Sequence, residues 1–326
     1  MDSATNKIDS SSNSWNGGTE KPLGSRYGKL MIWFFILSDA LTFLGFLVAY
    51  GLIRFKFIDS WPIADEVFNH FPFLHGDHPM LFVAFMTFLL IFSSVTMVLA
   101  VDAGKSMKKN KVTTYLFLTI VGGVMFLGSQ AWEWKNFING TYGAVKLSDG
   151  KIIQFVDVKT KKQVPIESFV KKESHTQSDL NTSSIWFKKA PKKATYQLED
   201  VLAGFDSNKN LSIRLEKLNP ATKQKIIVPR EKAATYLAEA ELVVKGANMI
   251  HNEYGKSLFA NFFFFITGFH GFHVFSGIVL NCIVFSNVLV GTYEKRGHYR
   301  MVEKVGLYWH FVDLVWVFVF TFFYLV

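Results

Sequence analysis

The sequence predicts an all-α integral membrane protein: a bundle of five transmembrane helices, with a small mixed α/β extramembrane insert between helices 3 and 4. Three observations support this fold class. The chain of 326 residues is 50% hydrophobic and 16% aromatic, with 34 Phe, which suits a protein dissolved in lipid better than one soluble core. Its apolar residues collect in five long runs. One long polar stretch separates the third run from the fourth.

Each apolar run is long enough to cross a bilayer, which takes about 20 residues. The third run is the shortest, and the fourth is long enough to tilt. The runs are Leu30–Ile53, Leu81–Val101, Tyr115–Trp132, Leu258–Val290 and Val305–Val326. We therefore divide the chain into a tail (1–27), helices 1–3 (28–137), the polar insert (138–255) and helices 4–5 (256–326). The tail is rich in Ser, Asn and Gly and has no apolar segment, so we expect it to be disordered and not a secretory signal.

The charges of the short loops predict the orientation of the bundle, because short basic loops stay in the cytoplasm. Basic residues precede helix 1, follow helix 2 and separate helices 4 and 5, whereas the loop after helix 1 is mainly acidic. The basic set comprises Lys21, Arg26, Lys29, Lys105, Lys108, Lys109, Lys111, Lys295, Arg296, Arg300 and Lys304. This pattern predicts a cytoplasmic N-terminus and a periplasmic insert and C-terminus in a bacterial inner membrane.

The insert has the features of a small, partly ordered domain. Lys151–Val158 and Lys223–Val228 are strand-like. Glu231–Ile250 has apolar residues near helical spacing, which predicts a helix. It also contains four lysine pairs, which begin at Lys161, Lys171, Lys188 and Lys192. Such pairs can attract an acidic partner, although a run of charge is more often a solvated face.

Two histidines lie inside the fourth apolar run, where ionisable groups are costly. His270 and His273 are three residues apart and therefore share a helix face with Gly277 and Asn281. Metal or haem ligation is one interpretation. The favoured one is a polar seam that hydrogen-bonds to neighbouring helices, because no carboxylate or thiolate stands at ligand spacing on this helix.

The fifth run contains a similar group. His310 and Asp313 are also three residues apart, with Trp309 and Trp316 at adjoining positions. Intramembrane His and Asp residues can form a proton relay. A structural hydrogen bond between His and Asp that anchors one helix to another is the favoured interpretation. Asp313 needs His310 or another donor, since a lone carboxylate in hydrocarbon would instead be protonated.

Two further carboxylates are candidates for lipid, proton or helix-interface roles. Asp39 lies near the middle of the first run, and either a functional role or a buried acid capped by Ser38 or Thr42 accounts for it. Glu133 ends the third run between two tryptophans, which predicts an interfacial position.

Several classes of function are disfavoured. The net charge of +9 is spread over loops and forms no nucleic-acid stripe. Cys282 is the one cysteine, so neither a disulfide framework nor a thiolate metal site is expected. Asp206–Lys217 begins like a calcium loop but lacks its Gly and its final Glu, so we predict a turn. We find no catalytic motif and predict no catalytic or metal-ligating residues.

Four ordered segments resemble subunit III of the haem-copper oxidases, of which cytochrome c oxidase is the best-known type. The strongest are Gly268–Val274, which reads Gly-Phe-His-Gly-Phe-His-Val, and Tyr308–Trp316, which reads Tyr-Trp-His-Phe-Val-Asp-Leu-Val-Trp. Ser93–Thr96 and Gln130–Trp134 are weaker matches. The likeness covers all five apolar runs and leaves out the tail and the insert.

The resemblance implies a non-catalytic subunit of a proton-pumping terminal oxidase that reduces O2 to water. Such a subunit carries no redox centre, because haem and copper belong to subunits I and II. It stabilises subunit I, binds phospholipid and supports proton uptake. Asp39 stands where the family usually has Glu, and Glu133, His273, His310 and Asp313 match family positions.

The chain departs from many family members in two ways. It resembles a five-helix bacterial form that lacks the first two of seven helices, and it carries a periplasmic insert without a known family counterpart. We expect the insert to contact subunit II, a cytochrome or another respiratory complex. The alternatives are subunit III of a quinol oxidase, a nitric-oxide-reductase accessory protein or, from a different class, a small membrane transporter. A transporter would more often show inverted repeats and helix breaks at midplane, and the sequence shows neither.

Overall fold

The computed structural model describes residues 27–72, 78–170, 196–219, 222 and 224–325. Within this part of the chain, five helices are long and apolar enough to span a membrane, which confirms the predicted spans. They are α1 (Tyr27–Lys56), α3 (Leu81–Lys105), α4 (Lys109–Asn139), α7 (Ser257–Leu289) and α9 (Arg300–Phe320), the last continued by a π-helical turn over Thr321–Leu325. Two short helices, α2 (Ala64–Val67) and α8 (Thr292–Lys295), lie in the connections. Except for Tyr27, the predicted tail lies outside the described residues.

The helices extend beyond the apolar runs that predict them. The third run covers only Tyr115–Trp132, yet α4 has 31 residues. Backbone hydrogen bonds can continue into the headgroup region and water, so polar residues at both ends of α4 stay helical. A hydropathy run therefore locates the buried middle of a membrane helix and not its ends.

Small and polar side chains bring α3 and α4 into close contact. Ser93 Oγ donates a hydrogen bond to the carbonyl oxygen of Thr119 at 3.0 Å, and the hydroxyls of Thr96 and Thr119 are 2.8 Å apart. A Cβ atom at Gly122 would lie 2.9 Å from Ser93 Cβ. Small residues at such contacts let the backbones approach and the hydroxyls pair across the helices.

Trp309 of α9 is fully buried among three other helices. A Cβ atom at Gly123 of α4 would lie 2.7 Å from its ring, and one at Gly277 of α7 would lie 2.8 Å from it. The indole N–H lies 3.2 Å from Ser93 Oγ of α3. The two glycines therefore make room for the indole at the centre of the bundle.

The first membrane helix is the most peripheral one. Only 11% of the apolar window of α1 is buried inside the chain, against 33% to 50% for the other spanning helices. Its few buried residues are Phe43, Leu47 and Tyr50. Much of the surface of α1 therefore faces lipid or a partner.

The insert forms an antiparallel sheet with helices packed against it, which confirms the predicted mixed α/β character. The elements are β1 (Ala144–Leu147), β2 (Ile152–Asp157), α5 (Leu198–Ser207), β3 (Leu211–Leu218), β4 (Lys225–Val228), α6 (Arg230–Leu237) and β5 (Ala240–Val244). The strands lie in the order β4-β3-β2-β1-β5, and β2 pairs with β3 through Phe155 opposite Ile213. Phe155, Val201, Phe205 and Ile213 are buried in one core.

Two strand predictions hold and one helix prediction is partly wrong. The strand-like pieces correspond to β2 and β4, with Lys223 outside the described residues. The helix expected over Glu231–Ile250 ends at Leu237, because the next residues pair with β1 as β5, in a register that sets Val145 opposite Val243. Pairing at a free sheet edge overrides a helical pattern of apolar spacing. Of the lysine pairs, only the one at Lys161 lies in the described residues.

Gly123→Ala should destabilise the bundle by about 1–3 kcal/mol, because the new methyl group overlaps the indole of Trp309. Gly128→Ala is the matched control on the same helix, since a Cβ atom there meets nothing within 4 Å. Thermal unfolding of the purified membrane protein measures both variants. Equal melting temperatures for the two would refute the tight seating of Trp309.

Candidate functional site

The clearest polar contact at membrane depth joins the first and fourth spanning helices. His273 Nε2 of α7 lies 3.1 Å from Asp39 Oδ2 of α1. His273 Nδ1 lies 2.8 Å from the carbonyl oxygen of Phe269, which can only accept, so Nδ1 carries a proton. Nε2 and Oδ2 can then form a hydrogen bond only if a proton lies between them.

The local cap that was one of the two alternatives for Asp39 is not formed. Ser38 Oγ donates to the carbonyl oxygen of Phe35 at 2.8 Å, and Thr42 Oγ1 donates to that of Ser38 at 3.0 Å. Both hydroxyls are thus engaged with their own helix, and the partner of Asp39 is His273. The sequence could not reveal this pairing, because the two residues are 234 positions apart.

His270 points to a different helix from His273. Its Nε2 donates to the carbonyl oxygen of Val312 on α9 at 3.1 Å, and its ring packs beside Phe126 and Trp316. The two histidines share a face of α7 but connect it to separate neighbours. This geometry agrees with the polar seam. Asp39 is the candidate ligand beside His273, and among the described residues no group of three candidate ligands occurs.

The expected hydrogen bond between His310 and Asp313 is absent. His310 Nδ1 lies 3.9 Å from Asp313 Oδ2, too far for a hydrogen bond. It lies 2.8 Å from Ser94 Oγ of α3 instead. The hydroxyl of a neighbouring helix has taken the place of the carboxylate.

Both tryptophans of the last helix bond to α3. Trp309 is held by Ser93, and Trp316 Nε1 donates to Thr87 Oγ1 at 3.0 Å. Both residues are fully buried. They connect α9 to α3 inside the bundle, with their N–H groups satisfied.

Glu133 is buried inside the bundle. Glu133 is 5% exposed, and its Oε2 accepts hydrogen bonds from Gln130 Nε2 at 2.9 Å and from Tyr324 Oη at 3.0 Å. Because α4 runs on to Asn139, Glu133 lies more than one turn before the end of the helix. The C-terminal π-helical turn then covers it with Tyr324.

A second polar cluster, which the sequence reasoning missed, joins the insert to the end of the bundle. Arg214 of β3 makes a bidentate contact with Glu66 of α2 at 2.9 and 2.7 Å. Lys225 Nζ of β4 lies 2.9 Å from the same carboxylate and 3.1 Å from Gln154 Oε1. Burial favours a raised pKa for Glu66, but Lys225 and Arg214 outweigh it and lower the pKa below its usual range. Burial in turn lowers the pKa of Lys225.

A single carboxylate closes the base of the insert. Glu253 Oε1 accepts the backbone N–H groups of Thr141 and Tyr142 at 2.8 and 3.3 Å. Its Oε2 accepts those of Gly143 and Gly246 at 3.2 and 2.5 Å. The first three donors lie on the chain entering the insert and Gly246 lies on the chain leaving it, so Glu253 connects both linkers.

The amino-acid sequence is similar to that of known proteins over part of its length. A family model for cytochrome c oxidase subunit III matches residues 243–326, from β5 through α9. Over these residues the chain is similar to that family. Cytochrome c oxidase subunit 3 of Thermostichus vulcanus is 40% identical over 74 residues, which cover 21% of this chain and 34% of the relative. The Synechocystis sp. protein of the same name is 42% identical over 78 residues, 23% of this chain and 33% of the relative.

The subunit III match covers part of the candidate site. The chain spans about a third of the length of the Thermostichus and Synechocystis proteins. The probable cytochrome c oxidase subunit 3 of Rickettsia conorii is 36% identical over 74 residues, 22% of this chain and 26% of the relative. Asp39 and Glu133 lie outside the matched segment of the family model. The other candidate residues lie inside the matched segment and are His270, His273, Trp309, His310, Asp313 and Trp316.

Glu66→Gln should weaken the attachment of the insert to the bundle by about 3 kcal/mol. This value is the lower end of the range for breaking a buried ion pair, because the Glu66 side chain is 26% exposed. Arg214 and Lys225 would lose their counter-charge. Hydrogen exchange of the β3 and β4 amides in the purified protein measures the effect. Glu231→Gln on the exposed first turn of α6 is the control, and equal exchange in both variants would contradict the prediction.

The ion pairs of Glu66 also predict that the attachment of the insert weakens at acidic pH. Because the folded state lowers the pKa of Glu66 below its ordinary 4.5, Glu66 contributes its full stabilisation above that value and loses it as the pH falls through the folded pKa. The protection of the β3 and β4 amides from hydrogen exchange should therefore stay constant from neutral pH to about pH 5 and fall at more acidic pH. Glu66→Gln should remove this part of the acid response, and an unchanged pH profile in that variant would count against the assignment.

Proposed function

We propose that this chain is a non-catalytic subunit III of a proton-pumping terminal oxidase. The observation that carries the proposal is the family match over α7 and α9, the two helices whose polar side chains bond to their neighbours. Haem, copper and O2 reduction to water would belong to partner subunits I and II. The relatives are cytochrome c oxidase subunits by name, which favours cytochrome c over quinol as electron donor.

A wide apolar groove supports a role in phospholipid binding. It has a volume of about 1040 Å³ and lies where α1, α4 and α7 meet the linker that follows the insert. Its lining includes Phe46, Trp134, Ile138, Leu258, Phe265 and Phe272. Acyl chains match such a surface in both polarity and shape. Phe269 also lines the groove, and its carbonyl oxygen bonds His273, so a bound lipid would lie next to the pair formed by Asp39 and His273.

The orientation with a cytoplasmic N-terminus is supported by where the charges meet. Lys29 at the start of α1 bonds Glu303 of α9 at 2.7 Å, and Lys109 at the start of α4 lies 3.5 Å from Glu294 of α8. These contacts gather the basic ends of the helices at the end of the bundle opposite the insert. The positive-inside rule puts that end in the cytoplasm and the insert in the periplasm.

Asp39→Asn should leave the oxidase assembled but shorten its active lifetime or alter proton pumping, because Asn keeps the size of the side chain and cannot take up the shared proton. Asp102→Asn, an exposed change at the end of α3, is the control. Turnover, inactivation rate and proton stoichiometry in reconstituted vesicles measure the effect. If all three are unchanged, Asp39 has no functional role in this oxidase.

We also propose that the insert contacts subunit II, a cytochrome or another respiratory complex on the periplasmic side. A deletion of residues 141–245 tests this, because the backbones of Gly140 and Gly246 lie in contact and can be joined. We expect an assembled oxidase with reduced cytochrome-driven turnover or lost co-purification of a partner. Intact assembly, co-purification and turnover would refute this role.

A gentle-detergent pull-down of the full chain tests the main proposal, with an optical spectrum and mass spectrometry of the co-purifying proteins. We expect a haem a spectrum and subunits I and II. A copper-binding subunit II would support cytochrome c as donor. A colourless preparation without partners would overturn the oxidase assignment and favour a transporter.

A further inference from the structure

Two large apolar side chains are exposed on the linker that leads from the insert to α7. Met249 is 75% exposed and Ile250 is 66% exposed. They are adjacent in the sequence and lie in neither a helix nor a strand. Single exposed apolar residues are ordinary on a protein surface, whereas apolar residues that expose most of their area side by side indicate a contact surface.

The turn that carries this pair, the linker turn (residues 248–251), is held by hydrogen bonds. Asn248 Oδ1 accepts the backbone N–H groups of Ile250 and His251 at 2.8 and 2.7 Å. The backbone N–H of Asn248 donates to the carbonyl oxygen of His251 at 2.8 Å. The exposure of the two apolar side chains is therefore a property of an ordered turn.

The linker turn lies beside the end of α4 and the start of α7. The backbone N–H of Ala247 donates to the carbonyl oxygen of Phe137, in the last turn of α4, at 3.0 Å. Met249 lines the same apolar groove as Ile138 of α4 and Leu258 of α7. These two side chains are 44% and 37% exposed. The apolar surface of the turn is thus continuous with the exposed apolar surface of two membrane-spanning helices.

The position of the turn along α4 corresponds to the headgroup region. The third apolar run ends at Trp132, and the exposed Lys135 follows it, so the hydrocarbon layer ends near this level. Ile138 lies three residues further, or about 5 Å at 1.5 Å per residue. The interfacial region extends about 5–8 Å beyond the hydrocarbon on each side of a bilayer. A turn beside Ile138 therefore lies within that region.

We propose that the linker turn is a membrane anchor of the insert. Met249 and Ile250 enter the interfacial region on the side of the membrane that bears the insert, and they pack against the upper parts of phospholipid acyl chains. The polar groups of Asn248 and His251 stay at the level of the headgroups. The anchor contacts the bilayer surface itself, and it adds a contact with lipid to the protein contacts of Glu66. The inference goes beyond the proposed function and requires no oxidase partner.

Electron paramagnetic resonance of a nitroxide label tests the anchor in the full chain, reconstituted into phosphatidylcholine vesicles. Cys282→Ala removes the one native cysteine, and Met249→Cys supplies the labelling site while Ile250 remains. We expect the label to collide more often with O2, which concentrates in the bilayer, than with a nickel chelate, which stays in water.

Ala234→Cys is the matched control on the insert. Ala234 is exposed on α6, which packs on the face of the sheet that carries Ile213. The neighbouring Arg214 points to the opposite face, towards the bundle. A label at position 234 should therefore collide mainly with the nickel chelate.

Two results would overturn the proposal. Equal access of the nickel chelate to the labels at positions 249 and 234 would place the linker turn in water. Shielding of position 249 from both reagents would show that protein, and not lipid, covers it. Because neither result depends on oxidase subunits, each leaves the proposed function in place.

A second pair of variants tests the role of the turn. Asn248→Ala removes the acceptor for two backbone N–H groups and should lower the ratio of O2 to nickel collisions at position 249 towards that at position 234. Asn248→Asp keeps an acceptor oxygen and should preserve the ratio. A ratio in Asn248→Ala equal to that of the parent protein would refute the role of the turn in presenting the anchor.

Discussion

Hydrocarbon offers a polar side chain no hydrogen bond, so every such group at membrane depth must find its partner within the protein. In this chain the buried histidines and tryptophans have partners on other helices. His273 reaches α1 through Asp39, and His270 reaches the backbone of α9 at Val312. Trp309 and Trp316 bond to α3. These contacts fix which helix faces which, a choice that apolar packing in lipid leaves open because lipid tails are as apolar as Leu.

The insert follows the same rule at the edge of the membrane. Arg214 and Lys225 belong to its strands but find their anion at Glu66, in the connection between α1 and α3. Glu253 holds the two linkers together through backbone N–H groups. A sheet anchored at its base and at one face has a defined position relative to the helices. Any partner that it meets would therefore be presented to the bundle in one orientation.

The sequence predicts features whose cause is local and misses those whose cause is distant. Five spans and their approximate centres follow from apolar runs, because a helix must match the bilayer thickness. The pairing of Asp39 with His273 depends on the packing of α1 against α7, which no local pattern encodes. Glu66 and Arg214 are 148 positions apart, and neither stands in a recognisable motif. The expected helix over Glu231–Ile250 ends at Leu237, because Ala240–Val244 pair with the free edge of β1 as a strand.

The three intramembrane carboxylates differ in how far the chain itself satisfies them. Asp39 lies 3.1 Å from a histidine nitrogen of another helix, and Glu133 accepts two hydrogen bonds, from Gln130 and Tyr324. Asp313 lies beside Ser94 and His310, which bond to each other. The first two carboxylates therefore connect separate parts of the bundle, α1 to α7 and α4 to the C-terminal turn, whereas Asp313 lies within the contact between α3 and α9.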